Sequence, residues 1–453
     1  MSVRPNQQGR PIDLSAYGTH AVAALCAAPL LMQLYLSRIA VQPSIIVCVA
    51  FQTLALGLCA WFSLTTSSGR LSVRVVIVWG VLLRLLALPI TPAFEDDYFR
   101  YLWDGYRTFH TQSPFGIAPE TAFGDETIPE ALRAVLAGIN HPELPTIYGP
   151  ALQYLFAIAA ALVPGSLVAL KGVLLVCDIA LLCMLARNCA PASLLLYAWN
   201  PLVISEVAVN AHADGVVALL LLTAAEFAWR SKWTVSGAAL GVAFAAKAPL
   251  AVLAAPVLLA EALTREPRLR SVLHLVAGAV VAVVAMYGPF LLRGATELDG
   301  LRVFATQWEF NAGVFGMLQY ALGDTMARAA SASLIAGVAL IVSWLHLHRR
   351  SPAERRLHSA LVIVILATLW FSPAVNPWYL LWALPLAAAR PAIGPWLVSA
   401  VLPLAYLHGD TLLQPEWTPF DVPLIVRAIE HSVLAIGIAT EIRRLFGSGQ
   451  RVV

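Results

Sequence analysis

The stretch VVIVWGVLLRLLALPITP, residues 75–92, is followed almost at once by EDDYFRYLWDG, residues 95–105. The first stretch is close to the length of about 20 apolar residues that a membrane-spanning helix needs. The second sets acidic side chains beside that run, where charge is costly unless the protein uses it. The pair therefore predicts a membrane helix that ends at a functional polar segment.

The composition extends this interpretation to the whole chain. Of its 453 residues, 59% are hydrophobic and 12% are charged, and the mean hydropathy is +0.76. These values exclude a water-soluble protein and predict an all-α polytopic membrane protein with about 12–14 transmembrane helices. Long Leu, Ala and Val runs without period-2 alternation exclude a β-barrel. The net charge of +3 does not imply nucleic-acid binding.

Apolar runs recur between residues 20 and 441, and the first is expected to be a retained anchor because it lacks a small-residue cleavage site. We expect residues 1–74 to form a tail and two additional helices, residues 75–441 the main membrane domain, and residues 442–453 a second tail. The predicted spans lie near 20–36, 44–66, 75–92, 147–164, 167–187, 192–208, 214–230, 234–260, 271–292, 326–346, 358–374, 378–389, 392–408 and 423–441.

Basic residues in short loops predict the orientation, because such residues stay in the cytoplasm. Both termini are predicted to be cytoplasmic, and the acidic segment, loop 93–146, residues 293–313 and residues 376–379 extracytoplasmic. Arg187, Arg230 and Lys232 are exceptions that fall outside, and the 210–214 turn falls inside with its sidedness open. The residues that set this orientation are Arg4, Arg10, Arg70, Arg74, Arg265, Arg268, Arg270, Arg349, Arg350, Arg355, Arg356, Arg443 and Arg444.

Loop 93–146 is predicted to be ordered, because loops longer than about 15 residues are usually functional or disordered. A helix over 97–110 would place Asp97, Arg100, Tyr101 and Asp104 on one face. A second helix is predicted over 129–137, and the proline-rich return to Tyr148 is expected to come back beside the Asp97 face.

Other ionisable residues lie within apolar runs, where a charged group is by default functional or paired. Lys247 is expected to pair with Glu206, Asp178 or Glu226. Asp178 and Lys171 are expected to form an internal salt link, and His212 with Asp214 either a helix-junction pair or part of a site.

The cysteines show no metal-ligand spacing, so neither a disulfide nor a cysteine-bound metal is expected. No cofactor is predicted, although a divalent cation could lie between Asp96, Asp97 and a phosphate. No glycine-rich nucleotide loop is present. The six cysteines are Cys26, Cys48, Cys59, Cys177, Cys183 and Cys189.

Several motifs in this order make the chain, from about Val75 to Leu384, resemble the glycosyltransferase C superfamily, in particular its bacterial polyprenyl-phosphate-mannose-type members. The motifs are Asp96-Asp97-x-x-Arg100-Tyr101-x-Trp103-Asp104-Gly105, Asn140-His141-Pro142, Thr146-Ile147-Tyr148, Trp199-Asn200-Pro201-Leu202, Glu206, His212-x-Asp214, Lys247, Trp308-Glu309-Phe310-Asn311 and Ser372-Pro373-x-x-Asn376-Pro377-Trp378-Tyr379.

The resemblance implies an inverting transfer of a hexose, mannose first, from a polyprenyl-phosphate carrier to a glycan or lipid acceptor hydroxyl on the extracytoplasmic side of the bacterial inner membrane. It implies Asp97 as the catalytic base, with Asp96 next. Cations are expected to hold the lipid phosphate: Arg100, Arg107 and Arg302. The other residues expected at the substrate are Tyr101, Asp104, His141, Tyr148, Trp308, Asn376, Trp378 and Tyr379.

Competing interpretations remain for this pattern. Arg100 would alternatively neutralise Asp97 and Asp104 along one helix face, and Trp308, Trp378 and Trp382 would alternatively be interfacial belt residues. The alternative function is a transporter or flippase for a lipid-linked sugar, which would use ionisable groups at the bilayer midplane.

Overall fold

A computed structural model describes residues 14–39, 41, 44–66, 71–348, 353–390, 392–408 and 421–446. Within these ranges the chain forms α-helices and no named strand, and one isolated bridge pairs Phe310 with Ala374. The prediction of an all-α fold is confirmed. Residues 1–13 and 447–453 of the predicted tails lie outside the described residues, as do Arg4, Arg10, Arg70, Arg349 and Arg350.

The first half of the chain forms the helices α1 Leu14–Arg38, α2 Ile45–Thr65, α3 Val73–Ala87, α4 Asp97–Thr111, α5 Glu130–Ala137, α6 Pro150–Leu162, α7 Leu167–Asn188, α8 Pro191–Ala198, α9 Pro201–Ile204, the π-helical turn Ser205–Val209 and α10 Asp214–Trp229. A 3-10 turn at Pro119–Ala122 precedes α5.

The second half forms α11 Trp233–Ala246, α12 Ala248–Leu263, α13 Arg268–Leu291, α14 Leu298–Gln307, α15 Val314–Leu322, α16 Asp324–His348, α17 Ala353–Phe371, the 3-10 helix Pro377–Trp382, α18 Leu384–Ala389, α19 Gly394–Val401, the 3-10 helix Leu402–Leu407 and α20 Leu424–Phe446.

Five of the described helices are long and apolar enough to cross a membrane, and a sixth span results if α8 and the segment Pro201–Val209, bent by 45°, count as one. The five are Gly18–Arg38, Ile45–Thr65, Leu167–Asn188, Arg268–Leu291 and Asp324–His348. Several apolar helices of 10–17 residues accompany them. The chain is therefore a multi-pass membrane protein.

Polar contacts gather at two opposite ends of the helix bundle. We call the end that contains Glu95, Asp96, Asp97, Glu206 and Asp214 the acidic end. At the other end, the basic end, Arg230 donates to Asn188 Oδ1 over 2.7 Å and Arg390 donates to the Asn188 carbonyl over 3.0 Å. There the Arg265 guanidinium lies 4.9 Å from the centre of the Trp229 ring.

The predicted span at 147–164 is wrong, because α6 packs against α4 within the acidic end. Gly105 of α4 lies directly on the Phe156 carbonyl, and the Tyr101 ring stacks on Phe156 at 4.7 Å. At its far end α6 leads to Gly165, which lies against Leu132 of α5. With 13 residues, α6 is about 20 Å long, shorter than the hydrocarbon core.

The predicted single span at 234–260 is two helices. Lys247 separates α11 from α12 with φ −152° and ψ 83°, outside the helical region. Pro249 follows within the first turn of α12, where proline is tolerated because the amide there has no partner. The break returns the chain to the acidic end at Lys247.

Because α6 does not cross the bundle and residues 234–260 cross it twice, the loops between these two regions lie at the end opposite to the predicted one. The 210–214 turn lies at the acidic end, so its predicted position on the side of the basic loops is wrong. Arg187, Arg230 and Lys232 lie at the basic end with Arg265 and are no longer exceptions.

The predicted salt link between Asp178 and Lys171 is also wrong. Asp178 pairs with the buried Arg84 of α3 and accepts from the Tyr197 hydroxyl over 3.1 Å. Lys171 instead donates to the carbonyls of Leu88 and Ile90, beyond the end of α3. Each charged group thus finds its partner outside α7, because residues seven apart on one helix lie two turns from each other.

Candidate active site

The amino-terminal end of α4 carries the two predicted acidic residues. The Asp97 carboxylate accepts hydrogen bonds at Oδ2 from the hydroxyls of Tyr148, over 3.0 Å, and Tyr101, over 3.4 Å. Asp96 Oδ1 accepts from Asn140 Nδ2 over 2.5 Å. A helix amino terminus favours carboxylates through its exposed amides. The predicted helix at 97–110 is confirmed, and the return segment does reach the Asp97 face through Tyr148.

Arg100 and Asp104, one and two turns further along α4, hold that return segment in place. The Arg100 guanidinium is buried and donates to the carbonyls of Leu144, over 2.9 Å, and His141, over 3.0 Å. The buried Asp104 carboxylate accepts from the Thr146 hydroxyl and from Gln153. Both side chains therefore position the segment that presents Tyr148.

We expect Arg100→Ala to lower kcat for sugar transfer by about 10- to 100-fold with a smaller change in KM, because two loop carbonyls lose their donor and each unpaired group costs about 1–3 kcal/mol. Steady-state kinetics on the purified protein measure this. Arg270→Ala, exposed in the first turn of α13 at the basic end, is the matched control with unchanged kcat. A rise in KM alone would contradict the positioning role and favour phosphate binding by Arg100.

Lys247 and Asp214 form an ion pair beside this carboxylate. Lys247 Nζ lies 2.7 Å from Asp214 Oδ1, which also accepts from Trp382 Nε1 over 2.8 Å. The ammonium lies 4.4 Å from the centre of the Tyr379 ring. The predicted partners of Lys247, Glu206, Asp178 and Glu226, are wrong, because the break after α11 brings Lys247 to the start of α10.

A second buried network joins the π-helical turn to the carboxyl-terminal half. Glu206 Oε2 accepts from the Tyr406 hydroxyl over 2.8 Å and from Asn210 over 3.2 Å. His212 is fully buried, with its ring stacked on Trp378 at 3.8 Å between centroids. The sequence had no signal for Tyr406, whose partner Glu206 lies 200 residues earlier.

Burial first, and then the charge of neighbouring carboxylates, raises the pKa of acidic side chains at this end. Burial raises the pKa of Asp97 to about 6, and the charge of Asp96 adds to it, while the Tyr148 hydrogen bond and the charge of Lys247 act in the opposite direction. Burial likewise raises the pKa of Glu95 well above its usual range, with contributions from Asp97 and Glu206. A carboxylate with a pKa near 6 is suited to take up a proton near neutral pH.

The aromatic residues predicted at the substrate lie in two places, one beside His141 and the other in the 3-10 helix Pro377–Trp382. Trp308 meets His141 edge-to-face, with ring centroids 4.6 Å apart. Trp378 and Trp382 are buried beside His212 and Asp214, so the alternative of interfacial belt residues is wrong for these two. Tyr379 stacks on Trp382 at 4.7 Å, and Asn376 is buried at the start of the same 3-10 helix.

Among the described residues, neither Arg107 nor Arg302 forms a hydrogen bond or an ion pair with the Asp97 carboxylate. Arg107 is ten residues along α4 from Asp97, about 15 Å away along the helix axis. Arg302 is exposed on α14, two residues after Gly300, which packs on the Thr146 carbonyl of the return segment, and its role at the phosphate stays a prediction. The residues that the structure describes contain no group of three or more His, Cys, Asp or Glu arranged to hold a metal ion.

Comparison with models of protein families identifies the region that contains this site. A family model described as alpha-(1->6)-mannopyranosyltransferase, N-terminal domain, matches residues 13–263, which is more than half of the chain. No curated protein matches the chain. The matched region contains Asp97, Tyr148, Asp214 and Lys247, whereas Tyr379, Trp382 and Tyr406 come from beyond it.

Proposed function

The chain belongs to the alpha-(1->6)-mannopyranosyltransferase family, and on that premise we propose that it transfers mannose from a polyprenyl-phosphate carrier to an acceptor hydroxyl with inversion at the anomeric carbon. The observation that carries the proposal is the partly exposed Asp97 carboxylate, oriented by two tyrosine hydroxyls beside a lysine. An inverting displacement needs such a base on the acceptor side and a cation near the leaving phosphate.

The proposed transfer needs only the acceptor hydroxyl, the lipid-linked donor and the Asp97 carboxylate. The acceptor oxygen attacks the anomeric carbon, and the bond from that carbon to the phosphate oxygen breaks. Its electron pair leaves with the polyprenyl phosphate, and the proton of the acceptor hydroxyl passes to Asp97. Inversion means that an α-linked product of the kind named for this family requires a β-linked donor.

The distribution of charge supports an extracytoplasmic site. Arg187, Arg230, Lys232, Arg265 and Arg390 all lie at the basic end, which the positive-inside rule places in the cytoplasm. The acidic end then faces the opposite compartment, where nucleotide sugars are absent and a lipid-linked donor is required. We further propose that the protein lies in the bacterial inner membrane with both termini in the cytoplasm. The proposed acceptor is a glycan or a lipid.

The proposal is tested with the full chain in proteoliposomes. We expect radiolabelled polyprenyl-phosphate mannose, but not nucleotide-linked mannose, to label an α-mannoside acceptor, and product digestion to give an α-(1→6) linkage. Protein-free vesicles are the control. Transfer from the nucleotide sugar alone, or passage of the lipid-linked sugar across the membrane without transfer, would refute the proposal and the latter would favour a flippase.

A further inference from the structure

Glu430 of α20 is a buried acidic residue that takes no part in the proposed transfer and lies outside the region that matches the family model. Its Oε2 atom accepts a hydrogen bond from Asn311 Nδ2 over 2.6 Å. The neighbouring His431 contacts the same residue, with Nε2 2.9 Å from the Asn311 carbonyl oxygen. Resting on the proposed function, we propose that Glu430 is a positioning residue, which holds Asn311 and, through it, the 3-10 helix Pro377–Trp382 of the active site.

The backbone of the segment 308–313 fits closely against α20. Asn311 has φ 52°, in the left-handed region that Asn tolerates better than most residues. At Gly313 a Cβ atom would lie 2.2 Å from Nδ1 of His431. A backbone in the left-handed region persists where its surroundings hold it, and here the side chains of Glu430 and His431 do so. The segment therefore depends on α20 for its conformation.

The same segment is joined to the residues that lead into the 3-10 helix. The Phe310 amide donates to the Pro373 carbonyl over 3.0 Å, and the Val375 amide donates to the Phe310 carbonyl over 2.9 Å. Asn311 Nδ2 also donates to the Val375 carbonyl over 3.3 Å. A displacement of Asn311 would therefore move Val375 and the helix that begins two residues later.

The 3-10 helix forms one wall of the active site. Trp382 Nε1 donates to Asp214 Oδ1 over 2.8 Å. The Tyr379 ring lies 4.4 Å from Lys247 Nζ. Both contacts fix the ion pair beside the catalytic carboxylate, and a displacement of about 1 Å in such groups can lower a rate by about 100-fold. Loss of the Glu430 contact should therefore lower kcat.

A second fully buried glutamate on the same helix, Glu441, provides a matched control. It lies near the basic end, where its Oε1 atom accepts from the amides of Ile393, over 2.8 Å, and Gly394, over 3.0 Å. Its partners lead into α19, whereas the partner of Glu430 leads to the active site. A role in stability alone predicts similar effects at the two positions, and a positioning role predicts a loss of kcat at Glu430.

The test compares Glu430→Leu with Glu441→Leu in the full-length protein. Both variants should lower the melting temperature in detergent, because each removes a buried acceptor from its donors. In proteoliposomes we expect Glu430→Leu to lower kcat by about 10- to 100-fold with KM nearly unchanged, and Glu441→Leu to keep kcat within about twofold. Glu430→Gln should restore kcat, since its amide oxygen still accepts from Asn311.

Asn311→Gly measures the same contact from the other side of the hydrogen bond. Glycine adopts the left-handed conformation without strain, so this variant removes the side-chain amide and keeps the backbone conformation accessible. It should lower kcat as much as Glu430→Leu does. The double variant should lower kcat no further, because both changes remove one contact.

The outcomes separate this role from the proposed function. Equal kcat losses for Glu430→Leu and Glu441→Leu would reduce the role of Glu430 to stability. Additive losses in the double variant would show that Glu430 does not act through Asn311, and an unchanged kcat in Glu430→Leu would also overturn the positioning role. Each of these results leaves the proposed function intact, whereas absence of mannose transfer by the unmodified protein would count against the proposed function itself.

Discussion

Asp97→Asn is expected to reduce the rate of sugar transfer by about 10²- to 10⁴-fold, the contribution typical of a positioned general base. The amide has nearly the same shape, so Tyr148 and Tyr101 keep a hydrogen-bond acceptor at the same place. Removing a negative charge near Lys247 should also strengthen the binding of polyprenyl phosphate. The measurement is single-turnover transfer together with the inhibition constant of the sugar-free carrier.

Asp299→Asn is the matched control, because Asp299 is an exposed carboxylate on α14 outside the cluster. It should leave both quantities unchanged. An Asp97→Asn variant that folds and transfers sugar within about tenfold of the unmodified protein would exclude Asp97 as the base, since a general base contributes more than that.

The pH dependence of sugar transfer tests the role of Asp97 as the base without a mutation. The folded-state pKa of Asp97 is raised to about 6, and only the ionised form accepts a proton. The value of kcat/KM should therefore increase with pH up to about 6 and level off above it, with a value near pH 5 roughly tenfold below the plateau. A plateau that extends down to pH 5 would contradict this assignment.

Gly278→Leu is expected to destabilise the protein by more than about 3 kcal/mol, because α11 and α13 are in backbone contact. A Cβ atom at Gly278 would overlap the Thr234 carbonyl, and one at Gly237 would overlap the Leu275 carbonyl. Neither neighbour is a flexible side chain that can move away. The leucine side chain would also displace α11, whose end carries Lys247, so transfer activity should fall together with stability.

Thermal unfolding of the purified protein in detergent measures this effect. Gly337→Leu is the matched control, since Gly337 lies in α16 with no neighbouring atom within 4 Å of a Cβ at that position. Its melting temperature should stay close to that of the unmodified protein. Equal melting temperatures for the two variants would show that the contact between α11 and α13 contributes little.

The sequence contains a pattern of small residues that fits the close packing of α11 on α13. Gly237-Ala-Ala-Leu-Gly241 has the spacing of small residues that lets membrane helices approach closely. The composition of this region is uniformly apolar, and a helix that is apolar on all sides gives no indication of which face is buried. The partner helix was therefore not predictable from periodicity.

The candidate site was predicted in part. The helical spacing of Asp97 and Tyr101 placed both side chains correctly, because an i, i+4 relation is fixed by helix geometry. Arg100 was assigned to phosphate from its charge, but its hydrogen bonds go to the carbonyls of a loop 41 and 44 residues away. Local spacing gives no information on which distant carbonyls lack a donor.

By itself, the sequence determined the all-α membrane class, the helix that begins at Asp97 and the presence of a polar site at its amino terminus. These follow from composition and from 3.6-residue periodicity, which act over short distances along the chain. The tertiary structure alone decided that α6 remains at the acidic end and that Lys247 pairs with Asp214. Those outcomes depend on where helices break and which helices touch, and such contacts are set by packing between residues far apart in the chain.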